Sequence, residues 1–139
     1  MANINGTQIN QSATIVEEAG AAIADVRNKV LVYDANGKAV LATDGSKPYI
    51  GIAIIEAGYN DIDGAESGKV AAGDDIDIQI KDIGRVLAGA AIAKGAELAA
   101  DANGKVVTAS SGDYVLGVAL SAASAADEYV RVQIRQYKA

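Results

Sequence analysis

The chain has 139 residues, half of them hydrophobic, and a net charge of −6. It contains no Cys, His, Phe or Trp. That excludes disulfides, thiolate metal sites, cysteine nucleophiles and any Ser-His-Asp triad, and it removes the commonest general base. The acidic balance also argues against nucleic acid or anionic lipid as a partner, and no apolar run approaches the ~20 residues of a membrane span.

Residues 1–13, "MANINGTQINQSA", are polar and uncharged, with Ile4 and Ile9 isolated among Asn, Gln, Thr and Ser. They lack the basic segment and apolar core of a signal peptide, so synthesis in a cytoplasm is expected. The stretch reads either as a disordered tail or as an extended arm that orders on a neighbour. In residues 14–33, Ile15, Ala19, Ile23, Val26 and Val30 fit helical spacing, but Gly20 weakens that pattern. A strand at 14–17, a turn or short helical turn over 19–28 and a strand at 29–33 are favoured.

"DANGK" (34–38) follows. Asn-Gly between apolar runs predicts a type I′ turn, so 29–33 and 39–43 form a hairpin. "YIGIAII" (49–55) is nearly all apolar and predicts a central strand buried on both faces. The Gly- and Asp-rich "GYNDIDGAESGKVAAG" (58–73) predicts an exposed loop. In "DIDIQIK" (75–81), Ile76, Ile78 and Ile80 point one way and Asp75, Asp77, Gln79 and Lys81 the other, as in a one-sided strand.

The pattern then recurs. "AGAAIA" stands at 19–24 and again at 88–93, and "DANGK" returns at 101–105. A second hairpin is predicted over 96–100 and 106–110. "YVLGVAL" (114–120) predicts a second central strand, and "YVRVQIR" (129–135) a second alternating one with Val130, Val132 and Ile134 inward. Asp34 aligns with Asp101, Gly37 with Gly104, Gly51 with Gly117 and Ala53 with Ala119. The halves differ mainly in the 58–73 loop. The expected architecture is all-β: a small β-barrel or β-sandwich built from two similar multi-strand halves, with an extended N-terminal arm and little helix. The arm covers 1–13. A single β domain covers 14–139, with the internal repeat at about 14–81 and 82–139.

Motifs that suggest chemistry fail on spacing. "GAESGKV" (64–70) has one residue too few between its glycines for a P-loop, and Val70 stands where Ser or Thr would hold Mg²⁺. Asn60, Asp61, Asp63 and Glu66 cluster oxygens without the spacing of an EF-hand, so a solvated acidic loop is the expectation. A lipoyl- or biotinyl-type carrier would need a modified Lys at a hairpin tip; Lys38 and Lys105 lack the Met or apolar flank. No nucleophile, base and oxyanion donor can be assembled. No catalysis, cofactor or metal is expected.

The stretch "GRVLAGAAIAKGAELAADANGKVVTASSGDYVLGVALSAASAADEYVRVQI" (84–134) resembles the small capsid decoration, or cement, proteins of tailed bacteriophages. The resemblance rests on "AIAKGAEL", "GVAL" and "YVRVQI", and is weaker over 14–80. It implies a β-barrel-like structural subunit on the outer surface of a phage head, commonly a homotrimer, that binds the major capsid protein and stabilises the shell. Capsid or subunit contacts are then expected at Ile4, Asn5 and Ile9 of the arm and at Tyr59, Asp61 and Asp63 of the loop. The competing expectation is a fibre- or adhesin-like β module that recognises a glycan or receptor through the 58–73 loop.

Overall fold

The computed structural model describes residues 13–63 and 65–139, and within them the backbone is built of strands and turns with no helix. The first five strands are β1 (Thr14–Glu18), β2 (Val30–Tyr33), β3 (Ala39–Leu41), β4 (Gly51–Ala53) and β5 (Asp75–Gln79). The next five are β6 (Asp82–Leu87), β7 (Glu97–Ala100), β8 (Val106–Thr108), β9 (Tyr114–Ala119) and β10 (Tyr129–Lys138). They form two five-stranded antiparallel sheets of the same order, β1-β5-β4-β2-β3 and β6-β10-β9-β7-β8. The sheets stay open and stack in a sandwich-like arrangement of two similar halves; the barrel that the sequence also allows is not formed. The arm residues Ile4, Asn5 and Ile9 lie outside the described residues.

Each half holds one strand more than the repeated unit read from the sequence. The unforeseen strand is β6. Its inner row contains Gly84, where a Cβ would sit 3.0 Å from Ile52 Cδ1, and its outer row contains Ile83. Apolar-in, polar-out alternation is therefore lost, although the strand pairs with β10 along its whole length.

The two hairpins turn by the same chemistry, and it is not the type I′ turn expected. Gly37 and Gly104 both have φ of 76°, but Asn36 and Asn103 are not among the residues with positive φ. Asp34 Oδ1 accepts from Asn36 N–H (2.8 Å) and Lys38 N–H (3.0 Å). Asp101 Oδ1 repeats this with Asn103 (2.7 Å) and Lys105 (3.0 Å). The aspartate carries the turn in the right-handed region, and only the glycine has to enter the left-handed one.

The second pair of shared glycines answers a different demand. A Cβ on Gly51 would lie 2.1 Å from Gln79 O, and one on Gly117 would lie 2.0 Å from Gln133 O. Both central strands thus press against the backbone of the alternating strand beside them, where no side chain fits.

Each half builds a core on one side of its sheet. Leu31, Ile50, Ala53, Ile76 and Ile78 line the first, and Leu98, Leu116, Ala119, Val130 and Val132 occupy the equivalent places in the second. Across β4 and β2 the opposite face of the first sheet is apolar as well. Val30, Val32, Tyr49 and Ile52 from that face join the core of the second half. Polar groups finish the joint. Val30 N–H donates to Gly104 O (2.8 Å). Tyr49, 6% exposed, donates its hydroxyl to Tyr114 O (2.9 Å) and accepts from Ala100 N–H (3.0 Å). Burial raises the Tyr49 pKa above the ordinary tyrosine value.

Two outcomes follow from these contacts. Tyr49→Phe leaves Ala100 N–H and Tyr114 O without their partner and should cost about 2 kcal/mol. Calorimetry would then show the melting temperature lowered by several degrees, whereas an unchanged value would remove Tyr49 as a tie between the halves. Gly51→Ala and Gly117→Ala should each cost about 3 kcal/mol through backbone overlap, read as a lower denaturant midpoint at unchanged slope; a neutral effect at either position would contradict the close strand approach.

Candidate functional site

The loop between β4 and β5 is the main departure from the repeat. Its stem is closely built. Tyr59 N–H donates to Lys69 O (2.9 Å), and Gly68 N–H donates to Tyr59 O (2.7 Å). Gly58 crosses Gly68 so closely that a Cβ on Gly58 would lie 2.7 Å from the Gly68 backbone. Ile23 and Val70 then exchange backbone hydrogen bonds of 2.8 and 2.9 Å, and Ala57 and Val70 are buried. The stretch read as an exposed loop is exposed over most of its length, but Gly68 and Val70 of its stem are buried.

Asp25 and Arg27 clamp that stem. Arg27 donates to both oxygens of Asp25, at 2.9 and 2.8 Å. The pair lies against Gly68, where a Cβ would meet Asp25 Oδ1 at 2.1 Å. The Arg27 hydrogen bond holds the Asp25 carboxyl below its ordinary range.

At the tip the structure brings Tyr59, Asp61 and Asp63 onto one short excursion, but with different roles. Asp61 spends its carboxylate on the loop itself. Its Oδ1 accepts from Asp63 N–H and its Oδ2 from Glu66 N–H, both at 3.2 Å. Ser67 Oγ donates to Asp61 O at 3.2 Å. Tyr59 is 57% exposed, and Ile62, which the sequence reading passed over, is wholly exposed. Among the described residues, no group of three or more acidic side chains comes together to hold a metal ion.

A second feature lies at the joint of the halves. An open cleft of about 460 Å³ is bounded by Ile54, Ile55, Gln79, Ile83, Arg85 and Arg131. The free edge of β6 runs along it and is capped by side-chain amides. Asn28 Nδ2 donates to Arg85 O (3.0 Å), Gln79 Nε2 donates to Ile83 O (3.0 Å), and Asn28 O accepts from Leu87 N–H (3.0 Å). Asn28 holds φ of 57° where the other half has Gly95, a conformation Asn tolerates better than most residues. The cap occupies an edge that would otherwise pair with a further strand. The cleft thus offers guanidinium, amide and isoleucine side chains, which can bind a partner but supply no nucleophile or general base. The alternation of "YVRVQIR" already places Arg131 on the outer face; nothing in the sequence signals Arg85, because β6 itself is not legible.

The model of the phage cement protein family matches residues 59–134. That span begins at the loop tip and runs through β5 to β9 into β10. Among solved structures, the fold is similar to the head fiber gp8.5 N base of bacteriophage phi29, with a TM-score of 0.62 at 16% identity over 93% of this chain and 98% of that one. Comparison with curated proteins gives no match. The family match covers more than half of the sequence, and the chain belongs to the phage cement protein family.

Proposed function

We infer that this chain is a structural protein of the phage virion that binds the outer surface of the head and stabilises the shell without catalysis. The family match over 59–134 carries this reading. Its partner is the major capsid protein, and it works as a homotrimer made in the host cytoplasm. Many copies on a symmetric lattice make modest individual contacts sufficient, because each bound copy acts at high effective concentration.

The loop tip is the capsid contact in this reading. Tyr59 and Ile62 present apolar surface on a stem that is already ordered, so little conformational entropy is lost on docking. Asp61 braces the tip and Asp63 supplies charge at its rim. The arm residues Ile4, Asn5 and Ile9 are assigned to the same role on sequence alone, as an extended segment adding main-chain contacts. A second reading has the fold likeness to a head fiber base behind it: a fibre-like module whose loop recognises a glycan or receptor.

Purified chain added to heads that lack it should bind saturably and raise the temperature at which they rupture; heads that take up none at saturating concentration would sink the reading. The double variant Tyr59→Ala, Ile62→Ser should weaken binding about tenfold or more with little change in melting temperature, since both side chains are exposed. Retention on a glycan array with no uptake by heads would favour the second reading. Light scattering should give three times the 14.1 kDa chain mass, and a monomer at all concentrations would remove the trimer.

A further inference from the structure

The halves share one strand pairing, so their outer surfaces compare row by row. On β1 and β5 the facing pairs are Thr14 with Gln79, Val16 with Asp77 and Glu18 with Asp75. On β6 and β10 the equivalent pairs are Ile83 with Gln133, Arg85 with Arg131 and Leu87 with Tyr129. Asp77 of one half therefore stands where the other has Arg131, Val16 where it has Arg85, and Asp75 where it has Tyr129. The first stripe is acidic around an exposed valine, Val16 at 55%; the second is basic between exposed apolar groups, Ile83 at 53% and Tyr129 at 49%.

Both stripes are unfavourable on their own. Arg85 and Arg131 sit directly opposite each other on adjacent strands, an arrangement that costs stability through like-charge repulsion. Neither has an ion pair among the described residues. The Arg85 guanidinium rests 5.3 Å from the centre of the Tyr129 ring, which keeps it on the outer face. Glu18 also faces Asp75 directly. Lys38 pairs with Glu18, while Asp75 and Asp77 have no cationic partner among the described residues. The chain is acidic overall, yet of its arginines only Arg27 stands away from β6 and β10.

We propose that copies of this chain associate by laying the basic β6–β10 stripe of one on the acidic β1–β5 stripe of another. Arg85 and Arg131 then meet Asp75 and Asp77, and Val16 covers Ile83 or Tyr129. The occupant is a second copy because the two surfaces complement each other in both charge and apolar content. Such an unlike pair of patches builds rings when the rotation between copies closes. The inference rests on the reading that the chain self-assembles, and it names the surfaces that do it.

The test uses the full chain and sedimentation velocity at low salt. Wild type should be assembled and should dissociate as salt rises. R85E/R131E and D75K/D77K should each lose the assembled species at concentrations where wild type keeps it. The chain carrying all four substitutions should regain it, a rescue that simple misfolding does not give; circular dichroism and melting curves check that each variant folds. An assembled wild type whose assembly survives both double variants overturns these surfaces and leaves self-assembly standing. A wild type that is monomeric throughout overturns both. Loss of head binding in R85E/R131E alone, with a monomeric wild type, would instead give the basic stripe to an acidic segment of the capsid.

Discussion

Strands that are apolar on both faces cannot stand in water on their own, and β2 and β4 of the first sheet are such strands. Leu31, Ile76 and Ile78 close one side over their own half, while Val30, Val32, Tyr49 and Ile52 cover the other side with the second half. Fully burying side chains of this size stabilises by roughly 1.5–3 kcal/mol each. Leaving that face bare would therefore forfeit several times the effect of any single contact. The second half lacks the same obligation: Glu97 stands exposed where the first has Val30. The two similar halves are thus unequal, one of them being covered by the other.

That inequality explains which features recur and which diverge. The recurring ones are those that the backbone demands. Asp34 and Asp101 carry the turns, and Gly51 and Gly117 admit the neighbouring strand. Ala19 and Ala88 make equivalent bridges from the ends of β1 and β6 to β3 and β8. Divergence falls mainly on outer rows and on the one long loop, as at Asp77 against Arg131 and Val16 against Arg85.

Much of this was legible in the sequence for a physical reason. A period-two alternation such as "DIDIQIK" and an Asn-Gly turn between apolar runs are local signals, and a repeat doubles each of them. What was not legible depends on pairing between distant segments. β6 is not legible because a glycine under Ile52 and an exposed Ile83 erase its alternation. The turn type was missed because Asp34 bonds two backbone amides at once and so relieves Asn36 of the left-handed conformation. The loop stem read as solvated because only the pairing of Val70 with Ile23 shows it to be buried. Tyr59, Asp61 and Asp63 share one excursion because they are neighbours in sequence, and the different hydrogen bonding of each is a pattern that composition does not reveal.

The position of the loop gives it a particular mechanical character. Its tip is exposed, yet its stem is fastened at Tyr59, Gly68 and Val70 and clamped by Asp25 and Arg27. A flexible loop of the same composition would lose conformational freedom on binding, at about 1–2 kcal/mol for each backbone residue ordered. Here folding has already met much of that cost through the glycine crossing, where any side chain would push the strands apart. The amide cap on β6 acts on the backbone as well: an open strand edge would pair indiscriminately, and Asn28 and Gln79 close it.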